Sequence, residues 1–90
     1  MPRPRTAKPR SLHHAALGHA IKLLIAEDPR MTLDTVVADS GLDEKQLGTY
    51  IRGQGNPTYT SLLKLCDGLH VSLTTLTLRA EELYDKSRGR

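Results

Sequence analysis

Apolar residues recur along this chain at helical spacing, and polar capping residues divide the pattern into five segments. Leu12, Ala16, Leu17, Ala20, Ile21, Leu24 and Ile25 fall at i, i+4, i+8 intervals and predict an amphipathic helix. Ser11 can cap its start, and Pro29 stops it at about Glu27. Thr32 opens a second, shorter segment carrying Leu33, Val36 and Val37, which Ser40-Gly41-Leu42 closes, because Gly41 can take the left-handed backbone that a helix C-terminus uses. Asp43 suits the N-cap of a third helix, in which Leu47, Tyr50 and Ile51 share one side and Glu44, Lys45, Gln46, Gly48, Thr49 and Arg52 the other. The turn formers Gly53-Gln54-Gly55-Asn56-Pro57 follow. Thr58 caps a fourth helix to about Leu69, with Leu62, Leu63, Leu65, Cys66 and Leu69 on its apolar side. Ser72 caps a fifth, whose Leu73, Leu76, Ala80 and Leu83 fit either a core seam or a dimer seam. Leu78 lies off that stripe and, if exposed, favours a partner. Thr74, Thr75 and Thr77 are weak helix formers, so packing must hold this helix.

No stretch alternates with a period of two, so the expected class is all-α, a compact five-helix bundle. Two short helices joined through a glycine turn at about 32–52 form a helix-turn-helix signature, whose second helix enters the DNA major groove.

Composition narrows this reading. The 90 residues suit one small domain, and with no Trp, no Phe and three Tyr its core must be aliphatic. A lone Cys66 excludes an internal disulfide and reads as a buried filler. His13 and His14 point apart on a helix, His14 and His19 are poorly placed for one face, and His70 is remote, so no metal site is expected. Nor is a cofactor, a small-molecule substrate or an enzyme activity, since no acid, base and nucleophile converge. No membrane span or secretory signal is present in the sequence, and a cytoplasmic protein, nucleoid-associated when on DNA, is the expectation.

The formal charge of +3 is unevenly spread. Arg3, Arg5, Lys8 and Arg10 lie in residues 1–10, and Lys86, Arg88 and Arg90 in 86–90, with no acid in either end. Residues 11–85 keep six basic residues against ten acidic ones, a net −4. Affinity for DNA comes largely from Lys and Arg on phosphates, so the acidic body weighs against a simple DNA-binding reading. The expected organisation is a disordered basic arm (1–10), a helix-turn-helix domain (11–85) and a frayed basic C-terminus (86–90). The arm reads either as a solvated tail or as a segment on DNA phosphates or in a minor groove.

From about Leu17 to Leu83 the chain resembles the Xre/lambda-repressor (Cro-like) family of helix-turn-helix regulators. The resemblance rests on Leu17-Gly18-xx-Ile21-Lys22, Thr32 and Ser40-Gly41-Leu42. It continues through Arg52-Gly53-Gln54-x-Asn56-Pro57-Thr58 and Leu62-xx-Leu65-Cys66-xx-Leu69-x-Val71-x-Leu73-xx-Leu76. It implies a five-helix DNA-binding fold and a homodimer on operator DNA. By the same resemblance Glu44, Lys45 and Thr49 would face bases, while Gln46, Arg52 and Asn56 would meet phosphates. Lys45 could then donate to guanine, and Thr49 could donate, accept or touch a thymine methyl.

Four positions depart from the family pattern. Leu33 stands where a phosphate-contacting Gln is usual, Glu44 where Gln is common, and Gly48 where a polar residue is common. Ile25 and Ile51 replace an Arg–Glu pair, an exchange that apolar packing tolerates when both partners change together.

The expected function is therefore a sequence-specific DNA-binding transcriptional regulator, a repressor in the first instance. It would act as a homodimer on a roughly palindromic operator, with Leu76, Leu78 and Leu83 at the dimer or partner surface. The alternative is a protein-interaction or antitoxin-like module on the same fold with a degraded DNA face.

Overall fold

The computed structural model describes residues 8–88, which fold into five helices: α1 (Leu12–Glu27), α2 (Leu33–Ser40), α3 (Glu44–Ile51), α4 (Tyr59–Leu69) and α5 (Leu73–Ser87). Each begins at the residue the sequence marks. The side chains of Ser11, Thr32, Asp43, Thr58 and Ser72 each accept from the backbone N–H three residues on. At Thr32 the cap is reciprocal, since the Thr35 hydroxyl accepts from the Thr32 N–H at 2.9 Å. α5 runs to Ser87, into the stretch 86–90 expected as a frayed basic C-terminus.

Ile21, Val36, Leu47, Leu65, Leu69 and Leu76 are sealed from solvent, one or more from each helix. Leu73, Ala80 and Leu83 pack against this cluster, so the α5 stripe is a core seam. Leu76 is 0% exposed, which corrects the expectation that it faces a partner: its side chain is spent on the monomer's own core. Leu63, expected on the apolar side of α4, is instead 39% exposed. Arg79 donates to both carboxylate oxygens of Glu27, at 2.8 and 3.1 Å, and ties α5 to the end of α1.

Two glycines set how closely the helices cross. A β-carbon at Gly18 would stand 2.2 Å from the carbonyl oxygen of Ile51 and 2.9 Å from that of Tyr50, so α1 touches the last turn of α3 backbone to backbone. A β-carbon at Gly68 would stand 2.7 Å from both the Ser40 Cβ and the Val36 carbonyl oxygen, which seats α4 against α2. Each of the two short helices is thus held by a neighbour, α3 by α1 and α2 by α4. Ile25 and Ile51 are both partly buried against the core, in line with an apolar replacement for an ion pair. Among the described residues no helix is long and apolar enough to cross a membrane.

Candidate nucleic-acid interface

The turn between α2 and α3 is built by local hydrogen bonds. Gly41 adopts φ +80°, and its N–H donates to the Val37 carbonyl. The buried Ser40 hydroxyl accepts from the Leu42 N–H at 3.1 Å, and Leu42 itself is buried. Leu47 and Tyr50 then pin the inner side of α3, which leaves Glu44 and Lys45 exposed and Gln46, Gly48 and Thr49 half-exposed.

The outward residues are not equally free. The Thr49 hydroxyl donates to the Lys45 carbonyl at 2.9 Å, so it retains its acceptor lone pairs and its methyl for a ligand. The Gln46 amide donates to the Tyr50 hydroxyl at 3.1 Å and is braced along the helix. The Arg52 guanidinium folds over Gly48, where a β-carbon would lie 3.1 Å from Nη1. Leu33 is 51% exposed at the start of α2 and borders, with Glu44, Lys45, Gly48 and Arg52, a shallow groove of about 420 Å³.

The loop after α3 is closed by backbone hydrogen bonds. The Gly53 N–H donates to the Tyr50 carbonyl and the Gln54 N–H to the Thr49 carbonyl, while Gly53 and Gly55 take φ +77° and +74°. Asn56 is exposed beside them. Along this loop lies the chain entering α1. The Arg10 N–H donates to the Gly53 carbonyl at 2.9 Å, Arg10 Nη1 reaches the Gly55 carbonyl at 3.4 Å, and Gln54 Nε2 donates to the Lys8 carbonyl. Pro9 packs so tightly on Gly53 that a β-carbon there would meet its Cβ at 2.8 Å. Residues 8–10, the end of the stretch expected as a basic arm, form a strap bonded to the loop. Arg3 and Arg5 lie outside the described residues. Lys8 and Arg10 thus add positive charge along the loop after α3, next to the exposed Asn56, in a body that is acidic overall, while the Arg52 guanidinium lies over Gly48.

Other sequence features fall elsewhere. His13 stacks on Tyr84, ring centroids 4.0 Å apart; His14 faces the Ser11 hydroxyl; His70 Nε2 lies 3.0 Å from Asp39. Among the described residues no three His, Cys, Asp or Glu side chains group as metal ligands. Cys66 is buried, and burial together with the neighbouring Asp67 pushes its thiol pKa up, which suits a packing role. Leu78 is 54% exposed on α5.

Sequence reasoning did not find Gln54 as the strap's anchor or Gly18 and Gly68 as crossing points. Gly18 carried a signal, because a glycine inside a strong helical pattern costs stability unless close packing needs it.

Caps, turn and outward α3 face define a helix-turn-helix domain, an all-α fold of the type used by small DNA-binding proteins. Solved structures agree. The restriction-modification controller protein C.AhdI from Aeromonas hydrophila is 26% identical over 73% of this chain and 98% of its own, with a TM-score of 0.67. The wild-type restriction-modification controller protein C.Esp1396I is 25% identical over 86% of this chain and 99% of its own, with a TM-score of 0.75. No family model and no curated protein matches the chain.

Proposed function

We propose that this protein is a sequence-specific DNA-binding transcriptional regulator of the Xre type that lays α3 in the major groove. The observation that carries the reading is the α3 surface. Lys45, Glu44 and Thr49 project from a helix whose opposite side is fixed by Leu47 and Tyr50, at the second position of a helix-turn-helix. The likeness to two restriction-modification controllers supports a regulatory role and a non-enzymatic one.

In this reading Lys45 donates to a guanine edge, Thr49 offers its methyl or lone pairs, and Glu44 accepts from a cytosine amino group. Arg52, Asn56, Gln46, Lys8 and Arg10 meet phosphates around them, with Arg3 and Arg5 continuing along the same strand. A homodimer places two α3 helices about one DNA turn apart on a roughly palindromic operator, and occupancy there represses the promoter it overlaps. Leu78 is the exposed α5 residue available to the second copy, while Leu83 is partly buried against the core.

The test is enrichment of bound sequences from a random duplex pool. The expected result is two inverted half-sites separated by about one helical turn. A pool that stays unenriched overturns the reading. It would favour the protein-interaction alternative, which the exposed Leu33 and Leu78 and the Glu44 carboxylate support.

A further inference from the structure

One stripe of α3 changes character at its middle. Glu44, Gly48 and Arg52 follow at i, i+4 spacing and so share a face of the helix. A carboxylate stands at the N-terminal end of the stripe and a guanidinium at the other, with no side chain between them. The gap at Gly48 is open: a β-carbon there would meet only the Arg52 guanidinium, Nη1 at 3.1 Å and Cζ at 4.0 Å. Leu33 walls the gap from the side of α2. It is exposed, yet its backbone is fixed, because it is the first residue of a helix whose start is held by the reciprocal Thr32–Thr35 hydrogen bonds. Leu47 and Ile51, packed into the core beneath, line the same groove. The outward surface of the helix-turn-helix therefore contains an apolar seat between an anion and a cation.

A cytosine edge in the major groove carries matching groups in a matching order. From the middle of the base pair towards its own backbone it presents the amino donor, then ring carbon 5, then the phosphate. With the amino group donating to Glu44, ring carbon 5 falls over Gly48 and Leu33, and the phosphate lies towards Arg52. Arg52 is the movable wall of the groove, since its guanidinium is exposed and uncovers Gly48 when a phosphate draws it away.

We propose that Leu33, Gly48 and Ile51 form a seat for the methyl group of 5-methylcytosine, so that the protein binds its site more tightly when one cytosine of each half-site carries that methyl. The inference rests on the DNA-binding reading and deepens it, giving Leu33 a base-facing role. The methyl displaces water from the Leu33 side chain and fills the place that the missing side chain of Gly48 leaves. Thymine carries the same methyl, but its 4-oxygen is an acceptor and sets lone pairs against the Glu44 carboxylate.

The experiment is fluorescence anisotropy of the full chain on the enriched duplex, with each cytosine of the half-sites replaced in turn by 5-methylcytosine. At one cytosine per half-site the methyl is expected to strengthen binding about 4-fold, the effect of one methyl taken out of water. Leu33→Ala, which removes the wall, and Gly48→Ala, which puts a methyl of the protein into the seat, are each expected to bind the methylated and unmodified duplexes alike, with thermal unfolding showing both variants folded. Leu33→Gln is expected to lose the same discrimination, whatever its amide adds to affinity. A merely structural role for Leu33 would shift both duplexes together and leave their ratio as in wild type. Thymine in place of the responsive cytosine, with adenine opposite, is expected to bind more weakly than 5-methylcytosine; equal binding overturns the assignment to cytosine. Specific binding that no methyl strengthens overturns the proposal and leaves the DNA-binding reading standing. A gain that survives in both Leu33→Ala and Gly48→Ala overturns it too, since the methyl is then read elsewhere. Wild-type protein that binds no duplex specifically defeats the DNA-binding reading itself, and the proposal with it.

Discussion

Gly18→Ala and Gly48→Ala should change stability in opposite directions, although both replace a glycine inside a helix. In a helix interior Ala is favoured over Gly by about 1 kcal/mol. At Gly48 that gain is nearly free. The added methyl would meet only Arg52 Nη1, at 3.1 Å, the mobile end of an exposed side chain that can swing away. At Gly18 the methyl would stand 2.2 Å from the Ile51 carbonyl oxygen, with the Ile51 carbonyl carbon and the Tyr50 oxygen at 2.9 Å. All three are backbone atoms in the last turn of α3, so no rotamer relieves the contact and α3 must retreat by about 1 Å to restore normal separation. Overpacking of this kind costs about 1–3 kcal/mol, and the backbone character of the clash puts Gly18 at the upper end. Net of the helix gain, Gly18→Ala is expected to destabilise the fold by about 1–2 kcal/mol, and Gly48→Ala to stabilise it by about 0.5–1 kcal/mol. For a domain of this size the melting temperature should fall by about 5–15 °C in the first and rise by a few degrees in the second. Urea unfolding followed by circular dichroism measures both. If Gly18→Ala is as stable as wild type, the close crossing of α1 and α3 is not what this sequence specifies, and the positioning of α3 by α1 must be abandoned.

Further outcomes follow from the same geometry. Lys45→Ala should cost about 1–3 kcal/mol on the selected duplex and relax preference at one base pair, whereas Arg52→Ala should weaken all sequences alike and reduce the salt slope by about 1; binding to matched and single-substituted duplexes distinguishes them. Leu33→Gln should strengthen binding several-fold by about 1 kcal/mol, since an exposed apolar residue gives way to a phosphate donor at the first turn of α2, with no change in unfolding midpoint. The Arg79 hydrogen bonds hold the Glu27 carboxyl below its ordinary value of 4.5. A lowered carboxyl contributes stability above the unfolded value and loses it as pH falls through the folded one. Urea midpoints should therefore fall less steeply below about pH 4.5 in Glu27→Gln than in wild type, a small effect because the pair is partly exposed. Cys66, buried and with its thiol pKa raised, should react with a thiol reagent only at the rate of unfolding.

The five helices were legible because local chemistry marks their ends: each start carries a Ser, Thr or Asp whose side chain caps the helix in the structure, and Gly41 ends α2 through its own backbone freedom. The inner face of α3 was legible from the spacing of Leu47 and Tyr50. What sequence could not supply is contact between distant segments. Leu76 and Leu83 share one stripe, and only the packing of α5 on α1 shows that Leu76 is sealed inside. Residues 8–10 have the composition of a loose tail, but their bonds are made to a loop more than forty residues away, which no local pattern encodes. Spacing places Gln46 and Arg52 on the outward side of α3, but only the fold shows Arg52 turned over Gly48 and Gln46 braced on Tyr50.

The central claim is that α3 reads DNA sequence. It is tested most directly by anisotropy of wild-type protein and Lys45→Ala on duplex fragments from around the protein's own gene, titrated with salt. The account predicts tight binding to one fragment, a steep salt dependence and a loss of fragment preference in Lys45→Ala, with the fold intact. Weak binding that is equal on all fragments and unaltered by Lys45→Ala would contradict it.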